Sequence, residues 1–310
     1  MIFRLVSGIG LVAGSMLLGW WLHRRRILTE DGASKLVRWV VLVPSPIVLC
    51  LSLWRMPLRS AGPWLMPLLG LLIASSTLLP SYWYVKRARL TSPQTGSFLT
   101  CAFFSNLGYL GAFVAFALYG EEGYALCMLY LLFFTPCFYT IGFSIAARHG
   151  TGSRQTGLAD AFNDKLRLYP FLGMVAGIVL NFTQVPRPAW LEPLNHAFIP
   201  LSTGLYLAAI GSQITYESPR PWLRPCLAMS FIKLLYTPLV ALVLVWLFRV
   251  QGLNRFIVLL EASMPVAISP LVLPMLFGLD RKLANALWLF TTIVSIPWLF
   301  LTLPALIRLG

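Results

Sequence analysis

The sequence predicts an all-α membrane protein with ten transmembrane helices, and three observations lead to this fold class. First, 58% of the 310 residues are hydrophobic and only 11% are charged, whereas a soluble domain carries about 25% charged residues. Second, the apolar runs between charged clusters are roughly 20 residues long, which is enough for a helix to cross about 30 Å of hydrocarbon. Third, these runs show no alternation of period two, so an outer-membrane β-barrel is not indicated.

Ten apolar segments can be placed along the chain, and the loops between them are short. The predicted spans cover residues 2–22, 36–54, 63–84, 98–118, 123–147, 167–183, 194–214, 222–248, 254–277 and 283–307. The longest predicted cytoplasmic loop runs from 148 to 165, so no large soluble domain is expected between the helices.

The distribution of Lys and Arg predicts which way the helices run. Sixteen of the 24 basic residues fall on one side of the predicted bundle and seven on the other, with Lys233 inside a span. The side with sixteen should be cytoplasmic, so both termini are expected on the non-cytoplasmic side. The first span agrees, because HRRR at 23–26 follows it and only Arg4 precedes it, as in an uncleaved anchor rather than a signal peptide.

The composition also excludes several function classes. The net charge of +14 does not indicate a nucleic-acid partner, because the basic residues lie in short clusters between the spans. The five cysteines lie in apolar stretches without a CxxC pair, and the three histidines form no metal-binding spacing. No nucleophile elbow or phosphate loop occurs. We therefore expect no enzyme, no catalytic residue, no metal site and no resident cofactor.

Two short matches predict an internal repeat. GLVAG at 10–14 in span 1 resembles GMVAG at 173–177 in span 6, and Gly120 after span 4 corresponds to Gly278 after span 9, at offsets of 163 and 158 positions. The matches predict a first five-helix repeat at 1–147, a short cytoplasmic linker at 148–166 and a second repeat at 167–310. Because five is odd, the second repeat is inverted in the membrane, which is typical of transporters. The end residues of both motifs are expected to pack helices closely, namely Gly10, Gly14, Gly173 and Gly177.

Spans 4 and 9 carry helix-breaking residues at corresponding positions. FFSNLGYLGAFVAFALY at 103–119 places Asn106, Gly108 and Gly111 inside an apolar run, and MPVAISP at 264–270 brackets the middle of span 9 with Pro265 and Pro270. Glycine loosens a helix, and proline removes a backbone donor. Non-helical backbone is tolerated in the bilayer only where it is buried in protein or lines a polar cavity. We therefore expect the breaks to form a binding site whose helix N-termini favour an anion such as a carboxylate, with a kinked packing helix as the alternative.

Polar and ionisable residues inside the spans are candidates for this site. The substrate-binding candidates are Asn106, Gly108, Tyr109, Gly111, Pro265, Ser269, Pro270, Ser45, Ser202 and Thr203. The serines and threonine of spans 2 and 7 either line the cavity or satisfy nearby backbone groups. Lys233 and Glu261 lie within spans 8 and 9, where a charge is functional by default. Lys233 either faces a substrate carboxylate or pairs with Glu261, and Glu261 can also bind a proton or a cation. The alternatives are a structural pair or snorkelling toward the interface.

Several stretches resemble the auxin efflux carrier family of bacterial and plant transporters, and the resemblance covers nearly the whole chain. They are RRRILTEDGASKLVRWVVLVPSP after span 1, NLGYLGAFVAFALYGEEGYALCMLY in spans 4 and 5, IPLSTGLYLAAIGSQI in span 7, KLLYTP in span 8 and LLEASMPVAISPLVLPMLFGLD in span 9. The resemblance implies ten helices in two inverted five-helix repeats, with helices 4 and 9 broken and crossing, in a fold similar to that of the bile-acid sodium symporters. It also implies transport of organic carboxylates.

The expected function is that of a secondary transporter that moves a small organic anion, in particular a carboxylate, across the membrane by alternating access. Coupling to H⁺ or Na⁺, the substrate and the direction of transport stay open. A membrane ligand sensor without transport and a cation-coupled symporter of the bile-acid type are the alternatives. The expected partners are the organic anion, the lipid bilayer and a second copy of the chain in a homodimer. The short cytoplasmic loops favour a multi-pass protein of the bacterial inner membrane.

Overall fold

The computed structural model describes residues 2–56, 58–59, 61–152, 165–212 and 220–309. Within these ranges the chain is helical and contains no strand, apart from one isolated bridge between two extended residues. Most of the predicted cytoplasmic linker lies outside the described residues, and so does the predicted end of span 7.

The α-helices are separated by short turns and, in several places, by single π-helical or 3₁₀ turns. They are α1 (Ile2–Arg24), α2 (Glu30–Leu42), α3 (Pro44–Trp54), α4 (Ala61–Ser76), α5 (Leu78–Ala88), α6 (Ser92–Phe103), α7 (Ala112–Tyr130), α8 (Phe134–Cys137), α9 (Phe143–His149), α10 (Lys165–Phe182), α11 (Leu191–Ser212), α12 (Leu223–Phe231), α13 (Thr237–Leu247), α14 (Gly252–Ala262), α15 (Leu273–Phe277) and α16 (Arg281–Leu309). The π-helical turns are Leu107–Gly111, Phe138–Gly142 and Ile232–Tyr236, and the 3₁₀ turns are Arg220–Trp222 and Ser269–Val272.

Five helical segments of the described chain are long and apolar enough to cross a membrane, and Leu168–Phe182 is a shorter apolar helix. The five are Glu30–Trp54, Gly62–Ala88, Leu107–His149, Arg220–Leu247 and Arg281–Arg308. The third of them is not one straight helix, because Gly120 interrupts α7 with φ 63° and ψ −148°. Multi-pass membrane insertion follows from these segments, while the full set of ten spans stays a prediction.

The helix ends follow from local sequence. Thr29 precedes α2, and its hydroxyl accepts a hydrogen bond from the N–H of Gly32 at 3.2 Å. Thr91 and Gln94 form a capping box at the start of α6, which satisfies two donors that a helix N-terminus leaves unpaired. At the other end, Arg89 closes α5 in the left-handed conformation with φ 49°, a position that usually takes glycine.

The chain divides into two compact units, and each unit takes segments from both halves of the sequence. Unit 1 comprises Met1–Trp64, Gly108–Leu132 and Phe162–Tyr216. Unit 2 comprises Leu65–Leu107, Phe133–Ala161 and Glu217–Gly310. The predicted repeats at 1–147 and 167–310 do not coincide with these two units, because each unit contains segments of both repeats. The repeats stay a prediction.

Glycines bring two helix pairs of unit 1 into close contact. A Cβ atom at Gly19 of α1 would overlap the backbone of Ala208 in α11, and one at Gly173 of α10 would overlap the backbone of Pro46 in α3. Gly177 likewise faces Cys50. The predicted packing role of the second GxxxG motif is thus confirmed.

The same role is not found for the first GxxxG motif. Apart from the nearby backbone of α1 itself, no described atom lies within 4 Å of a Cβ built at Gly10 or Gly14, and both glycines are exposed. The prediction that these two residues pack helices together is therefore wrong as far as contacts among the described residues are concerned. The face of α1 that meets α11 carries Gly19 instead, roughly one and a half turns after Gly14.

Substituting alanine for Gly173 is expected to lower the free energy of unfolding by about 1–3 kcal/mol, because the new methyl group must displace the backbone of Pro46. Gly14→Ala is the matched control, since its methyl group meets open space and gains up to about 1 kcal/mol of helix propensity. Thermal unfolding of the purified variants in detergent measures both. Equal stabilities for the two variants would contradict the close packing of α3 and α10.

An aromatic cluster forms part of the core of unit 2. Phe104 packs on Phe138 with ring centroids 5.4 Å apart, and Phe143 packs on Phe277 at 5.1 Å. A Cβ atom at Gly142 would lie 3.0 Å from the ring of Phe104, so glycine allows the π-helical turn to approach that ring. This cluster supports the stretch of chain in which α6 ends.

Candidate functional site

The two predicted breaks meet within unit 2. α6 ends at Phe103 and α14 ends at Ala262, and Ser105 and Val266 then form an antiparallel bridge. The N–H of Asn106 donates to the carbonyl of Pro265 at 2.8 Å, and the N–H of Ala267 donates to the carbonyl of Phe104 at 3.0 Å. Two extended stretches therefore satisfy each other's backbone where each helix is interrupted, as buried backbone in a membrane requires.

The breaks differ in their local cause. Pro265 and Pro270 follow the end of α14 at Ala262, and the chain is non-helical until the 3₁₀ turn Ser269–Val272. In the first break the extended residues precede the glycines. Gly108 and Gly111 lie in the π-helical turn Leu107–Gly111, so they loosen the helix after the break and are not part of the extended stretch.

Lys233 connects the end of α6 to the π-helical turn between α12 and α13. Its side chain is fully buried, which excludes snorkelling to an interface. The ammonium Nζ donates to the carbonyl of Ala102 at 2.5 Å and to the hydroxyl of Ser105 at 2.8 Å, and neither bond goes to Glu261. An ammonium carries three donors, and these bonds use two of them.

The backbone donors around the breaks are largely used inside the protein. Besides Asn106 and Ala267, the N–H of Leu107 donates to the carbonyl of Ser105 at 2.9 Å. The N–H of Val266 donates to the hydroxyl of Thr291 in α16 at 3.3 Å. The N–H groups of these four residues are therefore already bonded within the protein and are not available to a ligand.

The remaining predicted residues of unit 2 lie near these groups in sequence. Asn106 and Glu261 are buried, Pro270 is buried in the 3₁₀ turn, and Ser269 is half-buried. Glu261 belongs to the last turn of α14, immediately before the second break. A carboxyl group, an amide and an ammonium thus belong to the same unit, close to the interrupted ends of two helices.

The other predicted residues belong to unit 1, and two of its serines bond to backbone carbonyls a turn earlier in the chain. Ser45 donates to the carbonyl of Val40 at 2.9 Å, and Ser202 donates to that of Phe198 at 2.7 Å. The sequence analysis gave two alternatives for these serines, and their hydrogen bonds correspond to the second one, in which they satisfy nearby backbone groups. The ring of Tyr109 stacks on that of Tyr206, with centroids 3.5 Å apart and an interplanar angle of 4°. The predicted site residues in unit 1 also include Gly108, Gly111 and the buried Thr203.

Unit 1 contains a buried ionic network that the sequence reasoning missed. Glu121 follows the interruption at Gly120, and both of its oxygens accept hydrogen bonds from Arg187. Arg187 also donates to the carbonyl of Leu51 at 2.8 Å. Asn195 donates to Glu121 at 2.7 Å and to the hydroxyl of Ser52 at 3.0 Å. The sequence alone indicates for Glu121 only a first-turn charge.

Two other site residues were missed, Ser105 and Thr291. Ser105 directly precedes Asn106 in the sequence, and Thr291 belongs to a Thr-Thr pair inside an apolar span. A polar residue in a membrane span is a usable signal, but neither residue has a charge or a helix-breaking character that would single it out.

Comparison with known proteins places the chain in a family. The profile of the family described as "Membrane transport protein" matches residues 12–158 and 169–303. The chain is 27% identical over 286 residues to an uncharacterized transporter of Methanothermobacter thermautotrophicus, covering 91% of each protein. It is also 27% identical over 211 residues to an uncharacterized transporter of Methanocaldococcus jannaschii, covering 66% of each. The profile match covers most of the chain, and it shows that the chain belongs to the auxin efflux carrier family of membrane transport proteins.

Proposed function

We propose that the protein is a secondary transporter that carries a small organic anion, in particular a carboxylate, across the membrane by alternating access. The observation that carries this proposal is the buried ammonium of Lys233, which is bonded to Ala102 and Ser105 beside the first break. A charge inside a membrane protein is costly and usually marks a substrate or ion pathway. A carboxylate oxygen is the natural acceptor for its third N–H.

Asn106 extends this site. Its backbone is fixed by the bond to Pro265, and its side chain is mostly buried. An amide N–H₂ can donate to a second carboxylate oxygen while the ammonium neutralises the charge. Charge-assisted hydrogen bonds of this kind favour an anion over a neutral ligand of the same shape.

Backbone conformation supports the two inverted repeats. Seven described residues have positive φ. Six of them form three pairs whose members are 158, 160 and 158 positions apart in the sequence. The pairs are Arg26 with Gln184, Arg89 with Arg249, and Gly120 with Gly278. Positive φ is uncommon for residues other than glycine, so coincidence is a poor explanation of the first two pairs.

Helix packing in unit 1 supports the same relation. α1 packs on α11 through Gly19, and α10 packs on α3 through Gly173. If span 1 corresponds to span 6 and span 2 to span 7, these two contacts are copies of each other. Two halves related in this way can exchange outward-facing and inward-facing access.

Hydrogen bonds within each unit agree with the predicted grouping of span ends on the two sides of the membrane, and the Lys and Arg distribution predicts which side is cytoplasmic. In unit 1 they join residues 51–56 and Glu121 to residues 181–195, all of which belong to predicted non-cytoplasmic ends. In unit 2 they join residues 92–97, 149–152 and 277–280, all of which belong to predicted cytoplasmic ends. We propose that both termini lie on the non-cytoplasmic side of a bacterial inner membrane.

A cation-coupled symporter of the bile-acid type is the second candidate. It is favoured by Glu261, whose fully buried carboxyl group precedes the second break. In a symporter, the increase in thermal stability caused by a carboxylate would depend on sodium or on pH. In an uncoupled carrier it would depend on neither.

The proposal is tested by thermal unfolding of the purified protein against malonate, malate, lactate and indole-3-acetate, with and without sodium and at two pH values. A ligand at 100 times its Kd should add about 2.7 kcal/mol of stability. Asn106→Ala should lose most of this stabilisation, while the control Asn254→Ala, at the far end of α14, should keep it.

The stabilising compound is then tested for uptake into proteoliposomes. Uptake supports the transporter, while binding without uptake indicates a membrane sensor. Stabilisation by cations or neutral amphipathic compounds, and by none of the carboxylates, would contradict the anion assignment.

A further inference from the structure

The turn between α13 and α14 forms a pocket that has no part in the proposed transport site. Its volume is about 450 Å³, and it is lined by Val245, Trp246, Leu247, Arg249, Gln251 and Arg255. All of these residues belong to unit 2. The lining residues include two arginines and a glutamine, and none of the described ones is acidic, so the pocket favours a negatively charged ligand.

The backbone holds the two arginines in place. The N–H of Val250 donates to the carbonyl of Val245 at 2.9 Å and that of Arg249 to the carbonyl of Trp246 at 3.2 Å, which closes the end of α13. Arg249 itself adopts φ 52°, a conformation that costs a non-glycine residue energy and persists only where the surroundings fix it. Arg255 Nε donates to the carbonyl of Val250 at 3.1 Å.

The helix that leads to this pocket has a continuous apolar face. Leu239, Val243, Trp246 and Leu247 follow one another at helical spacing and are 59%, 61%, 77% and 62% exposed. In a membrane this face lies against acyl chains. A tryptophan at the end of such a face is typical of the headgroup level of a bilayer. A ligand that reaches the arginines from this side carries an apolar tail.

We propose that the pocket of Trp246, Arg249, Gln251 and Arg255 binds the headgroup of an anionic phospholipid whose acyl chains lie along the exposed face of α13. The phosphodiester accepts hydrogen bonds from the guanidinium groups, whose planar fork of donors matches phosphate oxygens. The amide of Gln251 donates to the headgroup, and Trp246 covers the glycerol backbone. A soluble anion would use the arginines but would gain nothing from the apolar face.

The experiment is native mass spectrometry of the delipidated protein with phosphatidylglycerol, phosphatidylcholine or diacylglycerol added in detergent. The wild type should bind phosphatidylglycerol most tightly. The double variant Arg249→Gln/Arg255→Gln should bind it roughly 30-fold more weakly, at about 1 kcal/mol for each arginine. The matched control is Arg59→Gln/Arg308→Gln, which removes the same charge from two exposed arginines predicted on the same side.

The outcomes distinguish a phospholipid site from a small-anion site and from a general effect of surface charge. Retention of phosphatidylglycerol by the control and its loss from the pocket variant support the proposal. Equal binding of diacylglycerol, or equal losses in both double variants, would overturn it. So would full competition by millimolar inorganic phosphate, because that indicates a small-anion site. None of these results depends on the transported substrate.

Discussion

Lys233→Met is expected to weaken strongly both the stabilisation of the protein by the proposed carboxylate ligand and the uptake of that ligand. Methionine keeps an unbranched side chain of similar length but removes the charge and the donors. A hydrogen bond to a charged group contributes about 1.5–3 kcal/mol, so affinity should fall roughly 10- to 150-fold. Ligand-dependent shifts in thermal unfolding and uptake into proteoliposomes measure the two effects.

The stability of the variant without ligand is a separate quantity. Removing Lys233 leaves the carbonyl of Ala102 and the hydroxyl of Ser105 without their donor, which costs about 1–3 kcal/mol. Replacing a buried charge by an apolar side chain acts in the opposite direction. The ligand-dependent shift avoids this ambiguity, because each variant is compared with itself.

Lys86→Met is the control for this experiment, since Lys86 belongs to the same unit and is exposed. It should bind and transport as the wild type does. If Lys233→Met keeps a full carboxylate response, the ammonium is structural, and the anion proposal loses the observation that carries it.

The breaks of spans 4 and 9 could be predicted because their causes are local. Proline and glycine change the backbone at their own positions, so Pro265 and Gly108 are visible in the sequence. The extended stretch of the first break lies a few residues closer to the N-terminus than the glycines indicate. Its pairing with Val266 is set by a contact with a distant part of the chain, which a local pattern does not contain.

The partners of the charged residues could not be predicted for the same reason. Lys233 is recognisable as an ionisable residue in a span, but its acceptors lie 131 and 128 positions away. Glu121 resembles a surface charge because it follows a turn, and Arg187 lies in a Pro-rich linker. Gly10 and Gly14 match a packing motif, yet which face of a helix meets a neighbour depends on tertiary structure.

Breaking the Glu121–Arg187 pair is expected to cause the largest loss of stability in unit 1. The side chains are 11% and 6% exposed, so Glu121→Gln leaves the Arg187 guanidinium buried without its counter-charge. Removing one partner of a buried pair typically costs about 3–5 kcal/mol. Glutamine keeps the size of the side chain and an acceptor for Asn195, so the loss reports the charge. Thermal unfolding in detergent measures it.

The chain offers a matched control in Arg55 and Glu192, an ion pair of the same unit whose side chains are 57% and 48% exposed. Glu192→Gln should cost only about 0–1 kcal/mol, because solvent screens an exposed pair. Arg187→Gln in the Glu121→Gln background should restore part of the stability, since it removes the uncompensated buried charge. Similar losses for Glu121→Gln and Glu192→Gln would mean that water reaches the Glu121–Arg187 pair. The network would then not be the buried anchor that joins the residues around Leu51, Glu121 and Asn195.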